Sequence, residues 1–124
     1  MSITTEASLD LNADDHLDEA ILSELLDIME EDFPILIETY LEDAADKLQQ
    51  IDAALLANDA HNLRELSHSV KGASSNVGAL PLAKLCEGVE HLAKDGEVEK
   101  LAPLVPDIHI EFSAVQKLLQ IRLA

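Results

Sequence analysis

The run LSHSVKGASSNVGAL, residues 66 to 80, holds the side chains of this sequence best suited to chemistry. His68, Lys71, Gly72 and Ser75 stand at i, i+3, i+4 and i+7, the spacing that puts side chains on one face of a helix. A neutral imidazole is a nucleophile near pH 7, and an ammonium group one turn away offsets negative charge on an incoming group. The glycine is the odd member, because inside a helix it costs ~1 kcal/mol relative to alanine. On an exposed face that loss makes sense where something large must come close to the imidazole. The set suits an imidazole that accepts a phosphoryl group carried in by a folded partner.

Whether this face is exposed depends on the helix that carries it. Leu63, Leu66, Val70, Ala73 and Val77 form an apolar seam. From the centre of that seam at Val70, His68 and Gly72 each lie two residues away, or ~200° around the axis, so both point outward. Gly78 is placed to end this helix.

The same seam recurs along the chain. A first short helix is expected from residue 17 to about 29, with Ile21, Leu22, Leu25 and Ile28 on its apolar side. Asp32 and Pro34 mark the start of a long helix with Ile37, Leu41, Ala44, Leu48, Ile51 and Leu55 inward, ending near Ala57. After the helix of His68, Pro81 opens another with Leu82, Leu85, Val89 and Leu92 inward, closed by Asp95 and Gly96. The last carries Leu101, Val105, Ile108, Phe112, Val115 and Leu119, with an irregular start at Pro103 and Pro106. Four long amphipathic helices joined by short loops predict an all-α antiparallel four-helix bundle, with the short first helix packed across one end. Residues 1–15, polar and acidic, are expected to be a flexible tail, and residues 16–124 the single domain.

Composition agrees. The chain has 124 residues, 48% of them hydrophobic but only two Phe, one Tyr and no Trp, so its core is aliphatic and favours packed helices. A formal net charge of −17 argues against nucleic acid or an anionic membrane as partner. The lone Cys86 excludes an intramolecular disulfide and fits a reducing cytoplasm. No stretch reaches the ~20 apolar residues of a membrane span, and a soluble, cytoplasmic, monomeric protein is expected. The initiating Met1 and the complete bundle favour a free-standing protein.

The run HSVKGASSNVGA resembles the signature of histidine-containing phosphotransfer (HPt) domains of multistep phosphorelays. His68, Lys71, Gly72, Ser74 and Gly78 match His-x-x-Lys-Gly-x-Ser-x-x-x-Gly. LCEGVEHLAK downstream and EEDFPILIETYLEDA upstream extend the likeness over most of residues 17 to 119. The resemblance implies a four-helix bundle whose exposed histidine carries phosphoryl between receiver-domain aspartates, from a hybrid sensor kinase to a response regulator. It implies no kinase activity. No Gly-rich nucleotide loop is present in the sequence, so ATP is not expected as direct donor. No cofactor is expected on this chain, the magnesium ion belonging to the receiver.

By the same resemblance, His68 is the phosphorylated residue, Lys71 offsets phosphoryl charge and Glu90 fixes the imidazole tautomer, with Glu87 its nearby competitor. Lys94, one turn beyond Glu90, is read as a solvated lysine, with pairing to Glu90 or contact with phosphate as the alternatives. Gly72 clears the docking surface, and Arg64, Glu65, Ser75 and Asn76 complete the partner-facing set. Ser74, near the seam, is read as filling a tight interhelical gap, and Cys86 as a small core residue. Two other readings stand beside this one. Glu65 and His68 have the Glu-x-x-His spacing of di-iron bundles, but Glu87 and His91 are four apart and His68 faces outward. A phosphorylation-independent helical adaptor would keep the bundle but has no need of an exposed nucleophile.

Overall fold

The computed structural model describes residues 12–124. A 3-10 turn at Ala13–Asp15 leads into α1 (Glu19–Met29), and a second 3-10 turn at Glu30–Asp32 leads into α2 (Phe33–Leu56). Then follow α3 (Ala60–Asn76), α4 (Leu80–Lys94), the single-turn α5 (Val98–Leu101) and α6 (Leu104–Leu123). The described residues contain no strand. Of the tail expected over residues 1–15, the first eleven residues lie outside the described residues; Asn12 caps the first 3-10 turn by accepting from the Asp14 amide.

The long helices α2, α3, α4 and α6 pack in a ring, α2 on α3, α3 on α4, α4 on α6 and α6 back on α2. Short turns link the first three, so neighbours run antiparallel. The core they enclose is aliphatic, with Ile37, Ile51, Leu63, Leu82, Ile108 and Leu119 fully shielded from solvent. Pro103 separates α5 from α6, which accounts for the irregular start of the last segment.

Several local expectations are corrected. The first helix begins at Glu19 rather than residue 17, because the Asp18 carboxylate caps it by accepting from the Ile21 amide. Ile28 is not on its inner side and is 69% exposed; the buried stripe runs through Leu22 to the half-buried Leu25 and Met29, the i, i+3, i+7 path from Leu22. Asp32 makes no side-chain cap, since the preceding 3-10 turn carries the chain into α2 in helical conformation and the Glu30 carbonyl already takes the Phe33 amide. On the seams, Leu55, Ala73, Leu85 and Leu92 are half-buried, while Ala54, Ser74, Cys86 and Ala93 lie deeper. The seam wraps around each helix because 3.6 residues per turn do not divide a fixed spacing evenly.

Between α3 and α4 the chain reverses at Gly78, whose φ is +82°. Its carbonyl accepts from the Asp18 amide at 2.8 Å, stitching the entry of α1 to the end of the bundle beyond His68. A Cβ here would stand 3.0 Å from the Asp18 carbonyl oxygen and 3.3 Å from Ile21 Cβ. Gly78→Ala should therefore destabilise the fold by about 2 kcal/mol, from left-handed strain plus the clash. Gly96, with a φ of +72° but open space around it, is the control. Paired thermal melts should show the larger drop for Gly78→Ala, and equal drops would mean that the contact with Asp18 contributes nothing.

Candidate functional site

On α3, Leu66, Ser67, Val70 and Ser74 turn inward. The opposite face therefore carries His68 into solvent, its side chain 67% exposed. Arg64, Glu65, Gly72, Ser75 and Asn76 are exposed with it, and Lys71 is half-buried at the flank. A Cβ on Gly72 would meet nothing within 4 Å, so neither packing nor backbone geometry demands glycine there.

The neighbouring helix reaches this face through Glu90, one fifth exposed. Its Oε2 lies 2.8 Å from His68 Nδ1 and its Oε1 lies 2.7 Å from Lys71 Nζ. The Lys71 contact is an ion pair by distance, but Oε1 is closed off from solvent and takes no hydrogen bond of good alignment. Burial pushes the Glu90 carboxyl up, and the Lys71 ammonium and His68 ring together outweigh it and hold the group below the usual carboxylate range. Glu90 in turn holds the Lys71 ammonium above its ordinary value. An ionised carboxylate can only accept, so Nδ1 donates to Glu90 and the lone pair of the neutral ring sits on Nε2, which has no protein partner among the described residues.

Glu87 is exposed and lines the same cleft, about 250 Å³, with Arg64, His91 and Lys94, yet it bonds neither His68 nor Lys71. Lys94 makes no ion pair among the described residues, because Lys71 reaches Glu90 across the helix interface. Glu65 is exposed on α3 and makes no hydrogen bond or ion pair with His68, whose ring bonds Glu90 instead. Among the described residues no three His, Cys, Asp or Glu side chains converge as metal ligands.

Beneath this face lies a buried pair. Ser74 Oγ and the Tyr40 hydroxyl are 2.7 Å apart, joining α3 to α2. Burial raises the Tyr40 phenol beyond its ordinary value, and the Ser74 hydrogen bond opposes that only in part. Ser74 thus fills an interhelical gap, as its place near the seam suggests, while Tyr40 is a support the sequence reading missed; the lone tyrosine, three residues from Ile37 and so on the inner side, was the available signal. Ser67 is also buried and donates back to the Leu63 carbonyl at 2.7 Å. Cys86 is buried one turn from Glu90; burial first, and the Glu90 charge second, push its thiol up to about 12, so it remains a protonated core residue.

Two features flank the exposed face. Arg64, Lys71, Lys84 and Lys94 all belong to α3 and α4, half of the eight Lys and Arg in a chain of net charge −17. On the α2 side, Leu25, Met29, Leu36, Thr39, Ala73 and Asn76 border an open and largely apolar groove of about 560 Å³.

Comparison with known proteins agrees with this architecture. The Hpt domain family model matches residues 35–120. The fold is similar to that of histidine-containing phosphotransfer protein B (HptB) from Pseudomonas aeruginosa PAO1, with a TM-score of 0.85 and 38% identity over 86% of this chain and 93% of that one. It is also similar to the Saccharomyces cerevisiae phosphotransfer signaling protein Ypd1, solved with the receiver domain of its downstream response regulator Ssk1, at a TM-score of 0.79 and 17% identity over 86% of this chain and 93% of that one. A putative histidine-containing phosphotransfer protein from rice has a TM-score of 0.76 and 17% identity over 96% of this chain and 92% of that one. No curated protein sequence matches. The family match spans more than half of the chain, HptB shares over a third of the aligned residues, and the bundle agrees with both: the chain belongs to the Hpt domain family.

Proposed function

We propose that this protein is a phosphorelay intermediate that takes a phosphoryl group onto His68 from the aspartyl phosphate of one receiver domain and gives it to the aspartate of another. The observation that carries this reading is the exposed His68 ring, tethered at Nδ1 by Glu90 and bordered by bare backbone at Gly72. With Nδ1 donating to Glu90, the Nε2 lone pair attacks phosphorus in line with the aspartyl oxygen. The Nε2–P bond forms as the P–O bond breaks, the receiver carboxylate leaves with the electron pair, and the ring keeps its Nδ1 proton. Transfer onward is the reverse step on a second receiver.

The donor is a hybrid sensor kinase receiver and the acceptor a response regulator receiver. Magnesium belongs to the receiver in this reading, and this chain supplies nucleophile, counter-charge and landing surface. The cations of α3 and α4 suit the acidic rim that surrounds a receiver aspartate, and the apolar groove beside Ala73 and Asn76 suits the uncharged part of such a partner. The protein acts in the cytoplasm as a monomer and has no kinase activity of its own. No helix among the described residues is long and apolar enough to cross a membrane. An adaptor that never carries phosphate would gain nothing from a tethered, solvent-facing imidazole.

Incubation with a panel of radiolabelled phosphorylated receivers tests the reading, with label expected on this chain as acid-labile, base-stable phosphate. Lys71→Ala should slow transfer or shorten the life of the phosphorylated form by roughly an order of magnitude, while binding to unphosphorylated receiver changes little. Equal loss of binding would reassign Lys71 to the docking interface.

A further inference from the structure

Glu90 holds two groups with one carboxylate, His68 through Oε2 and Lys71 through Oε1. Tethering the ring needs only an acceptor, which an amide would supply as well. The negative charge does something further, because it occupies the ammonium that the phosphoryl group would use as its counter-charge. Lys71 is 27% exposed and turned toward Glu90, and no other carboxylate lies within ion-pair distance of it among the described residues. Glu87 acts on it only from farther off. Arg64, Lys94 and His91 border the same cleft without pairing with Glu90.

We propose that Glu90 competes with the phosphoryl group for Lys71 and thereby limits how long His68 holds it, making His68 a short-lived carrier rather than a store. This rests on the proposed function above. A phosphoryl group on Nε2 brings close to two negative charges to the His68 face. If Lys71 turns to it, Oε1 of Glu90 is left shielded from solvent with no partner; if Lys71 stays, the phosphoryl oxygens go without the ammonium one turn along α3. The cost of that contest, taken at an oxygen shielded from solvent, exceeds in this proposal the attraction of the Glu90 carboxylate for the positive charge that the ring carries with phosphorus on Nε2 and a proton on Nδ1. The same carboxylate keeps the proton on Nδ1, so the ring departs as a neutral imidazole when phosphorus is attacked by a receiver carboxylate or by water. Glu90 is in this account a positioning residue whose charge sets the poise of the relay.

The test is the lifetime of the phosphorylated protein, isolated from receiver, in the parental chain, in Glu90→Gln, in Lys71→Ala and in the double variant. Glutamine keeps an acceptor for Nδ1 and removes the charge. Glu90→Gln should lengthen the half-life roughly two- to fivefold, the range expected of a partly screened charge pair, and should flatten its dependence on salt. In the Lys71→Ala background the lengthening should largely vanish, an outcome that a merely structural role for Glu90 would not produce. A half-life unchanged or shortened by Glu90→Gln would overturn the proposal, as would equal lengthening with and without Lys71, which would mean direct repulsion rather than competition. Failure of the parental protein to carry phosphate on His68 would overturn the functional reading and this inference together, whereas a labelled parent with an unaltered Glu90→Gln lifetime would overturn this inference alone.

Discussion

His68→Gln should abolish phosphoryl acceptance from every receiver that labels the parental protein, while the melting transition stays where it was. The substitution replaces a side chain that is 67% exposed by a polar one that fits a helix, so a stability change within about 0.5 kcal/mol is expected. The amide can still reach Glu90, but it has no lone pair basic enough to attack phosphorus, and the loss is one of chemistry alone. His61, His91 and His109 are the controls. His61 and His91 are exposed, His109 Nε2 is engaged with Asp52 Oδ1 at 2.8 Å, and His16, held at Nδ1 by Glu111, is only 16% exposed, so no one of the four offers a tethered ring with a free Nε2 on a bare surface. Labelling by phosphorylated receivers, followed by acid and base treatment, reads the result. Acid-labile, base-stable phosphate that persists on His68→Gln would put the nucleophile elsewhere.

Gly72 carries the second large effect, and here stability and transfer should move in opposite directions. A Cβ at this position meets no atom within 4 Å, and the backbone lies in an ordinary helical conformation. Gly72→Ala should therefore raise stability by up to ~1 kcal/mol through helix propensity, and Gly72→Gln should fold as well as the parent. Transfer should nonetheless fall, mildly for alanine and by roughly a hundredfold for glutamine, because a long side chain one turn from His68 holds the receiver's phosphoryl group out of line. Thermal melts and transfer rates on the same two variants decide the matter. Parental transfer by Gly72→Gln would remove the steric account of docking, and a loss of stability in both would mean that this face of α3 is covered.

Much of the framework was legible because it rests on periodicity. The seam through Leu63, Leu66 and Val70 put His68 and Gly72 on the outer face of α3, and Gly78 ended the helix in the left-handed conformation that its place in the pattern demanded. The misreadings of burial share one cause, which is that spacing along a helix does not say how far its neighbours wrap around it. Ile28 fits a seam on paper but faces solvent, because α1 lies across the end of the bundle and shows it only a narrow stripe. Ala73 and Ser74 exchange depth because the Tyr40 hydroxyl comes in from α2 to meet Ser74, a contact between residues 34 apart in sequence that no local pattern contains. The His68 to Glu90 contact spans 22 residues and was legible only through family resemblance. The second half of that contact, Lys71 on the same carboxylate, was not legible at all. The i+4 spacing offered Lys94 as a partner of Glu90 but left a solvated lysine as the preferred reading, which holds, and only the close packing of α3 against α4 brings Lys71 to the carboxylate.

The central claim is that phosphorus bonds to Nε2 of His68, since Nδ1 is held by Glu90. Nitrogen-15 and phosphorus-31 NMR of the labelled protein, phosphorylated by a receiver, observes that bond directly. The account predicts a single phosphoramidate on His68, with phosphorus coupled to Nε2 and the proton retained on Nδ1. Phosphorus on Nδ1 of His68, or on the ring of any other histidine, would contradict it.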